Sequence, residues 1–107
     1  MKFLIHGNSP QAKTGYGIQI AQLADQLVQA GHDPACSVTW GLQGGIENWR
    51  GIRLYGCGYE TNSNDRIHMH AQHWFDAEPG WIITCIDVWA MENPRLKDFN
   101  VAAWVPI

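Results

Sequence analysis

A glycine-rich segment with one lysine, residues 7–17 (GNSPQAKTGYG), stands between a predicted strand and a predicted helix. In such a strand-to-helix turn, backbone N–H groups and the positive end of the helix dipole attract an anion. Gly15 and Gly17 lack a Cβ atom, so a phosphate could approach the backbone closely there, and Lys13 would add a positive charge. The segment therefore predicts an anion-binding turn. The alternative is an ordinary loop that uses glycine only to change direction.

A second set of candidate residues combines hydrogen-bonding side chains with indole rings. Each member ends or follows a predicted strand, and ligands of open α/β sheets bind beyond the carboxyl ends of the strands. These residues should therefore share one edge of the sheet with residues 7–17. Aromatic faces beside polar groups suit a ligand with apolar C–H faces and hydroxyl groups, such as a sugar; alternatively, each indole is a core residue. The set comprises Trp40, His70, His73, Trp74, Asp87 and Trp89.

Predicted strands alternate with predicted helices along the chain. Helical spacing covers residues 18–30, where Ile20, Ala24 and Leu27 share one face and Gly31 ends the helix. This alternation implies an open, mainly parallel α/β sheet of five or six strands, whose first two strands are parallel and joined by a right-handed crossover. The predicted strands are Lys2–His6, Ala35–Thr39, Gly51–Gly56, Arg66–His70, Trp81–Ile86 and Val101–Val105, with a short helix at Ala71–Asp76, a short turn or helix from Pro94, and loops at 41–45 and 60–65.

The composition limits the classes of protein to which the chain can belong. With 107 residues it is one domain or part of one. A net charge of −3 with scattered lysines and arginines argues against a nucleic-acid binder. The sequence has no apolar run long enough for a membrane span or a secretory signal. Cys36, Cys57 and Cys85 are odd in number, which favours buried free thiols, and hence a reducing, cytoplasmic location, over a disulfide framework.

Three segments, in this order, resemble motifs of the retaining, glycogen-synthase-like glycosyltransferases of the GT-B fold. Residues 13–17 (KTGYG) resemble the Lys-Thr-Gly-Gly loop of that family, with Tyr16 in place of the second adjacent glycine. Residues 65–70 (DRIHMH) resemble its Asp-x-apolar-His-x-His segment at the end of the fourth strand. Residues 83–87 (ITCID) resemble its apolar-Thr-x-His-Asp segment, with Ile86 where a histidine is common. The resemblance extends over nearly the whole chain.

The resemblance implies a Rossmann-like domain that forms the N-terminal, acceptor-side half of a GT-B enzyme. Its first loop, which comprises Lys13, Thr14, Gly15, Tyr16 and Gly17, would approach the phosphates of the donor and stabilise the charge that develops as the nucleoside diphosphate departs. His70 would face the reaction centre, and Asp87, Trp89 and Trp74 would contact the acceptor. The substrates would be a nucleotide diphosphate sugar and a hydroxyl acceptor, with no metal and no other cofactor.

In that family the nucleotide-sugar pocket belongs to a second, C-terminal domain. Residues 1–107 are therefore expected to form one Rossmann-like domain, or a fragment, that meets this second domain in cis or in trans. The complete enzyme would transfer a hexose to the acceptor. The 107-residue chain by itself is expected to fold and to lack activity.

Residues 7–14 also lie close to the P-loop pattern G-x-x-x-x-G-K-[ST] of NTPases. Ala12 replaces the glycine that lets the backbone wrap the phosphates. In addition, Gly15 and Gly17 would each weaken the first turn of the helix by roughly 1 kcal/mol. An NTPase is thus the less favoured alternative, and a dinucleotide-binding domain is disfavoured because the chain lacks G-x-G-x-x-G.

Residues 68–73 (HMHAQH) resemble the His-x-His-x-Asp-His zinc motif of metallo-β-lactamase-type hydrolases, with Gln72 in place of the aspartate. In the predicted strand, His68 and His70 would point to the same face, so zinc chelation is geometrically possible. A non-catalytic sugar- or nucleotide-binding module is a further alternative, since it would share every feature above except turnover.

Overall fold

The computed structural model describes residues 1–11, 15–40, 45–56, 66–85 and 94–103, apart from the side chains of Tyr16 and Trp40. Within these residues, no helix has both the length and the apolar character that crossing a membrane requires. The elements are β1 (Lys2–Asn8), α1 (Gly15–Gln29), β2 (Asp33–Trp40), β3 (Ile46–Trp49), β4 (Ile52–Tyr55), α2 (Ile67–Phe75), β5 (Gly80–Thr84), a 3-10 helix (Pro94–Asp98) and β6 (Val101–Ala103).

The six strands form one sheet in the order β3-β4-β2-β1-β5-β6. β1 lies between β2 and β5 and is parallel to both, with Leu4 opposite Ala35 on one side and Ile82 on the other. β4 and β6 extend the sheet in the same direction, and only β3 runs antiparallel to its neighbour. This arrangement confirms the predicted open, mainly parallel α/β sheet and the parallel pairing of its first two strands.

The two α-helices cover opposite faces of the sheet. Alternate side chains of a strand point to opposite faces, so Ile5 of β1 packs with Ile20 and Ala24 of α1, whereas Leu4 packs with Ile67 and Ala71 of α2. Leu4 and Ile5 are both fully buried. The central strand is therefore apolar on both faces, as parallel strands are when helices cover the sheet on both sides.

The first helix follows the predicted pattern closely. Ile20 and Ala24 are buried, whereas Gln22 and Asp25, on the other side of the helix, are exposed. Gly31 has a φ of +87° just beyond the helix, where glycine is favoured because a Cβ atom is disfavoured in this region. The helix begins at Gly15, three residues before the predicted start.

The predicted strand at Arg66–His70 is wrong, because Ile67–Phe75 is one continuous α-helix. Ile67, Ala71 and Phe75 are spaced four residues apart and all are buried against the sheet. This spacing outweighs the apolar–polar alternation of residues 66–70. The short helix expected from residue 71 is confirmed, but it is the second half of α2.

Among the remaining strands, one was not predicted from the sequence and three were. β3 was not predicted, and it forms a hairpin with β4 through Arg50 and Gly51, whose φ angles are +52° and +82°, as two-residue primed turns require. The predicted strands at 51–56 and 81–86 and the short helix from Pro94 are confirmed. β6 confirms the strand predicted from Val101. Residues 104–107, residues 41–44 of the predicted loop at 41–45, and the predicted loop at 60–65 lie outside the described residues.

Gly80 provides a test of how tightly α2 packs on the sheet. A Cβ atom at this position would lie 2.5 Å from Cε1 of Phe75 and 2.7 Å from the backbone oxygen of Lys2. Because the backbone cannot move aside easily, we expect Gly80→Ala to lower the free energy of unfolding by about 2 kcal/mol, the scale of an overpacked core. Urea denaturation followed by circular dichroism measures the change.

Gly15→Ala is the matched control, because a Cβ atom at Gly15 has no atom of the described residues within 4 Å. It should leave the free energy of unfolding unchanged or raise it by up to about 1 kcal/mol through helix propensity. Equal stability of the Gly80→Ala variant and the native chain would contradict the close packing of α2 against the start of β5.

Candidate functional site

The carboxyl edge of the sheet, where β1, β2 and β5 end, carries several polar groups. Oγ1 of Thr39 donates a hydrogen bond to Oδ1 of Asn8 over 3.3 Å, which joins the ends of β2 and β1. The N–H of Gln11 donates to Oγ of Ser9 over 3.2 Å and turns the chain after β1. On the other side of β1, the N–H of Cys85 donates to the carbonyl of His6 over 2.8 Å.

The beginning of α1 lies next to the end of β1 because Gly7 allows close packing. A Cβ atom on Gly7 would be 2.6 Å from Cδ1 of Ile20 and 3.2 Å from Cβ of Cys85. Gly15, the first residue of the helix, is exposed, whereas Gly17 is buried. The first turn of α1 contains no acidic residue, so no carboxylate there offsets the positive end of the helix dipole.

Several predicted site residues cannot be placed relative to this edge. Lys13 and Thr14 of the first loop, and Asp87 and Trp89 of the third segment, lie outside the described residues. Tyr16 is in the first turn of α1, and only its backbone is described. The prediction that all three segments meet at one edge is therefore tested only for Gly15, Gly17 and the second segment.

His70 lies in the first turn of α2, so its predicted placement at a strand end is wrong. Its Nδ1 atom is 2.7 Å from Oγ of Ser37, and the same hydroxyl is 2.8 Å from Nδ1 of His6. Ser37 and His6 are fully buried, and His70 is half-buried. The side chain of His70 thus faces the interface between α2 and the sheet. Its role at a reaction centre stays a prediction.

Tyr55 of β4 forms a second link between the sheet and α2. Its ring stacks on the imidazole of His70, with centroids 4.9 Å apart and planes 20° apart. Its hydroxyl is 2.6 Å from Nδ1 of His73, one turn further along the helix. Two adjacent polar contacts therefore fix the rotation of α2 about its own axis, in addition to its apolar packing.

Trp74 lies at the opposite, amino edge of the sheet. Its Nε1–H donates to the carbonyl of Phe3 over 3.0 Å, and Nζ of Lys2 donates to the carbonyl of Trp74 over 2.8 Å. Phe3 is five residues before Asn8 in β1, which corresponds to about 16 Å along the strand. The predicted placement of Trp74 at the carboxyl edge is therefore wrong, because the strand on which it depended is a helix. Its contact with an acceptor stays a prediction.

An ion pair completes the amino edge. Nζ of Lys2 lies 2.7 Å from Oε2 of Glu78. The hydrogen bond between them lowers the pKa of Glu78 and raises the pKa of Lys2. Both side chains are in contact with solvent, where such pairs contribute little to stability.

The three histidines of α2 have different partners. Nε2 of His68 accepts from Nη1 of Arg95 over 3.2 Å, whereas His70 contacts Ser37 and His73 contacts Tyr55. On a helix, residues two apart point in different directions, so His68 and His70 do not share a face as the strand prediction implied. Within the described part of the chain, no group of three or more His, Cys, Asp or Glu residues could hold a metal ion.

Cys36 of β2 and Cys85, just after β5, are buried free thiols, as predicted. Burial raises the pKa of each thiol to about 12. Both thiols therefore stay protonated near neutral pH and are poor nucleophiles. Cys57 lies outside the described residues.

Sequence analysis did not identify His6, Ser37 or Tyr55 as parts of a polar cluster. His6 and Ser37 stand inside apolar strands, and a buried polar residue usually has a hydrogen-bond partner. That signal indicates only that some partner exists. It does not identify partners that are 31 and 33 positions apart in the sequence.

The chain matches no family model, and neither curated proteins nor solved structures include a significant match to it.

The buried thiols predict a loss of stability at alkaline pH. In the unfolded chain cysteine loses its proton above about pH 8.5, whereas the folded chain keeps both protons up to about pH 12. The stabilisation is therefore fully present below about pH 8.5 and is lost as the pH rises. The loss is about 1.4 kcal/mol per pH unit for each thiol.

Urea denaturation between pH 8 and pH 10.5 measures this loss. The double variant Cys36→Ala/Cys85→Ala should be less stable at pH 7 because it leaves cavities, yet its stability should change less over the alkaline range. The same alkaline slope in the variant and the native chain would show that these thiols do not cause it.

Proposed function

We propose that the chain is a Rossmann-like, acceptor-side domain of a retaining glycosyltransferase with the GT-B architecture. The enzyme transfers a hexose from a nucleotide diphosphate sugar to a hydroxyl acceptor. The observation that carries the proposal is the position of the end of β1 and the start of α1. They lie where the chain stops adding strands on one side of β1 and begins to add them on the other side.

The order of the strands defines this point. From β1, the chain proceeds to β2 and β4 on one side, whereas β5 and β6 lie on the other side. In open α/β sheets, ligands bind beyond the carboxyl ends of the strands at such a reversal. The crevice in this sheet lies between the ends of β1 and β5, next to Asn8 and Cys85.

The start of α1 supports a phosphate at this crevice. Gly15 is exposed and has open space around it, so a ligand can approach the backbone there. The positive end of the helix dipole favours an anion at this turn, and acidic residues are missing from the turn. In the proposal, Lys13 adds its charge to the same phosphates, and Thr14, Tyr16 and Gly17 shape the turn.

The groups that we assign to the reaction lie across the crevice from the start of α1. α2 connects the end of β4 to the start of β5, so its first turn, which contains His70, lies towards the carboxyl edge. We assign His70 to the reaction centre and Asp87 with Trp89 to the acceptor. A second domain, in cis or in trans, supplies the nucleotide-sugar pocket, and the chain by itself is inactive.

A non-catalytic sugar- or nucleotide-binding module is the second candidate. The contact between His70 and Ser37 favours it, because this hydrogen bond accounts for Nδ1 of His70 without any reacting ligand. The glycosyltransferase and a nucleotide-binding module both require an anion at the start of α1, whereas a module that binds a neutral sugar does not. Turnover in the presence of the second domain distinguishes them.

Titration of the ¹⁵N-labelled chain with UDP-glucose, GDP-mannose or pyrophosphate tests the phosphate site. We expect amide resonances of Asn8, Gly15 and Gly17 to shift at millimolar ligand. Gly15→Ala should weaken binding at least about fivefold because its methyl group occupies the approach to the backbone. The matched control Gln22→Ala changes an exposed residue of the same helix and should leave binding unchanged.

Two outcomes would contradict the proposal. One is the lack of any shift at the start of α1 with 10 mM of each of the three ligands. The other is binding confined to the amino edge, near Lys2 and Glu78. Hydrolysis of ATP that depends on magnesium and on Lys13 would favour the NTPase instead.

A further inference from the structure

A cleft of about 380 Å³ opens at the amino edge of the sheet. Its walls are the C-terminal half of α2, the segment between α2 and β5, and the segment between the 3-10 helix and β6. Every residue that lines it belongs to the described part of the chain. A volume of this size lies in the range of small-molecule sites. It equals the volume of roughly a dozen water molecules, so a ligand of about ten non-hydrogen atoms fits.

Two phenylalanines supply aromatic surface to this amino-edge cleft. Phe75, from the last turn of α2, is 5% exposed, and Phe99, after the 3-10 helix, is half-buried. Their ring centroids lie 6.2 Å apart, and their planes are 44° apart. Pro79 adds further apolar surface. The cleft therefore offers an apolar surface to the body of a ligand.

Hydrogen bonds hold the walls of the cleft in place. Nδ2 of Asn100 donates to the carbonyl of Gly80 over 3.3 Å, and the N–H of Ile82 donates to the carbonyl of Asn100 over 2.8 Å. On the other wall, the N–H of Glu78 donates to the carbonyl of Phe75 over 2.8 Å. The cleft is thus preformed, which keeps the ordering cost of binding low.

The charged groups of the cleft are all negative. Glu78 and Asp98 are carboxylates, and none of the lining residues, every one of them described, is Lys, Arg or His. Glu78 is paired with Lys2, which lies outside the cleft. Asp98 is exposed and forms no ion pair with another described residue. Arg95 and Lys97 of the same 3-10 helix do not line the cleft. The site therefore attracts cations and repels anions.

Aromatic surface beside carboxylates suits an organic cation. An ammonium group is attracted to the face of an aromatic ring and donates charge-assisted hydrogen bonds to a carboxylate. The side-chain oxygens of Gln72 and Asn100 are further acceptors in the lining. The three N–H bonds of a primary ammonium group can therefore all find acceptors at this site.

We propose that the amino-edge cleft binds a small organic cation, which consists of an ammonium group on an apolar body. Asp98 is the charge partner of the ammonium group, and Phe75 and Phe99 contact the apolar body. The start of α1 lies at the opposite edge of the sheet, so the cleft is separate from the anion site proposed there. This inference does not depend on the proposed function.

Titration of the ¹⁵N-labelled chain with phenethylamine, which carries an ammonium group at neutral pH, tests the proposal. We expect saturable shifts of the amide resonances of Ala77, Gly80, Phe99 and Asn100 at millimolar ligand. Phenethyl alcohol has the same size without the charge, so it should bind at least about fivefold more weakly. Phenylacetate carries a negative charge and should bind more weakly still.

Asp98→Asn removes the charge and keeps the shape of the side chain. This variant should bind phenethylamine at least about threefold more weakly and phenethyl alcohol as well as the native chain does. The matched control is Asp25→Asn, which removes an exposed carboxylate from α1, on the other face of the sheet. It has the same net charge as Asp98→Asn and should bind phenethylamine as the native chain does.

Equal affinities of the native chain for the amine, the alcohol and the carboxylate would overturn the proposal, because the cleft would then select no charge. Unchanged binding of phenethylamine by Asp98→Asn would overturn it as well. So would shifts confined to residues away from the cleft, or the lack of any shift with about 20 mM phenethylamine.

Discussion

The main-chain pairing of β1 with strands on both sides is the constraint on which the rest of the structure depends. β1 is parallel to β2 and β5 and is in register with both over most of its length. Its side chains are buried by α1 on one face and by α2 on the other. Because β1 is hydrogen-bonded to a strand on each side, its position in the sheet is fixed. The side chains of β1 and the segment that follows it are held in place as a result.

Three features of the candidate site follow from the position of β1. Its carboxyl end delivers Asn8 and Ser9 to the crevice and sets the starting point of α1. The glycine at position 7 lets Ile20 and Cys85 approach the strand. One residue earlier, His6 lies on the face of the sheet that α2 covers and is hydrogen-bonded to Ser37. The polar groups of the carboxyl edge and the hydrogen bond between His6 and Ser37 are therefore built on successive residues of one strand.

The sequence predicts those parts of the fold whose periodicity is long and regular. α1 and the apolar strands β1, β2 and β5 belong to this class. Residues 66–70 alternate like a strand over five positions, but the spacing of Ile67, Ala71 and Phe75 extends over nine and determines the helix. β3 was not predicted from the sequence because Glu47 and Asn48 have low strand propensity. In addition, the turn between β3 and β4 is Arg50-Gly51 and not the Asn-Gly pair that is typical of hairpins. The polar cluster could not be predicted, since its members meet only through the tertiary fold.

Native-state hydrogen exchange of the individual strand amides tests most directly whether β1 organises the molecule. Amides of Ile5 and His6 should exchange only through global unfolding and should show the highest protection, whereas those of the edge strands β3 and β6 should exchange through local opening. Exchange of the β1 amides as fast as those of β6 would contradict a structure built around this strand.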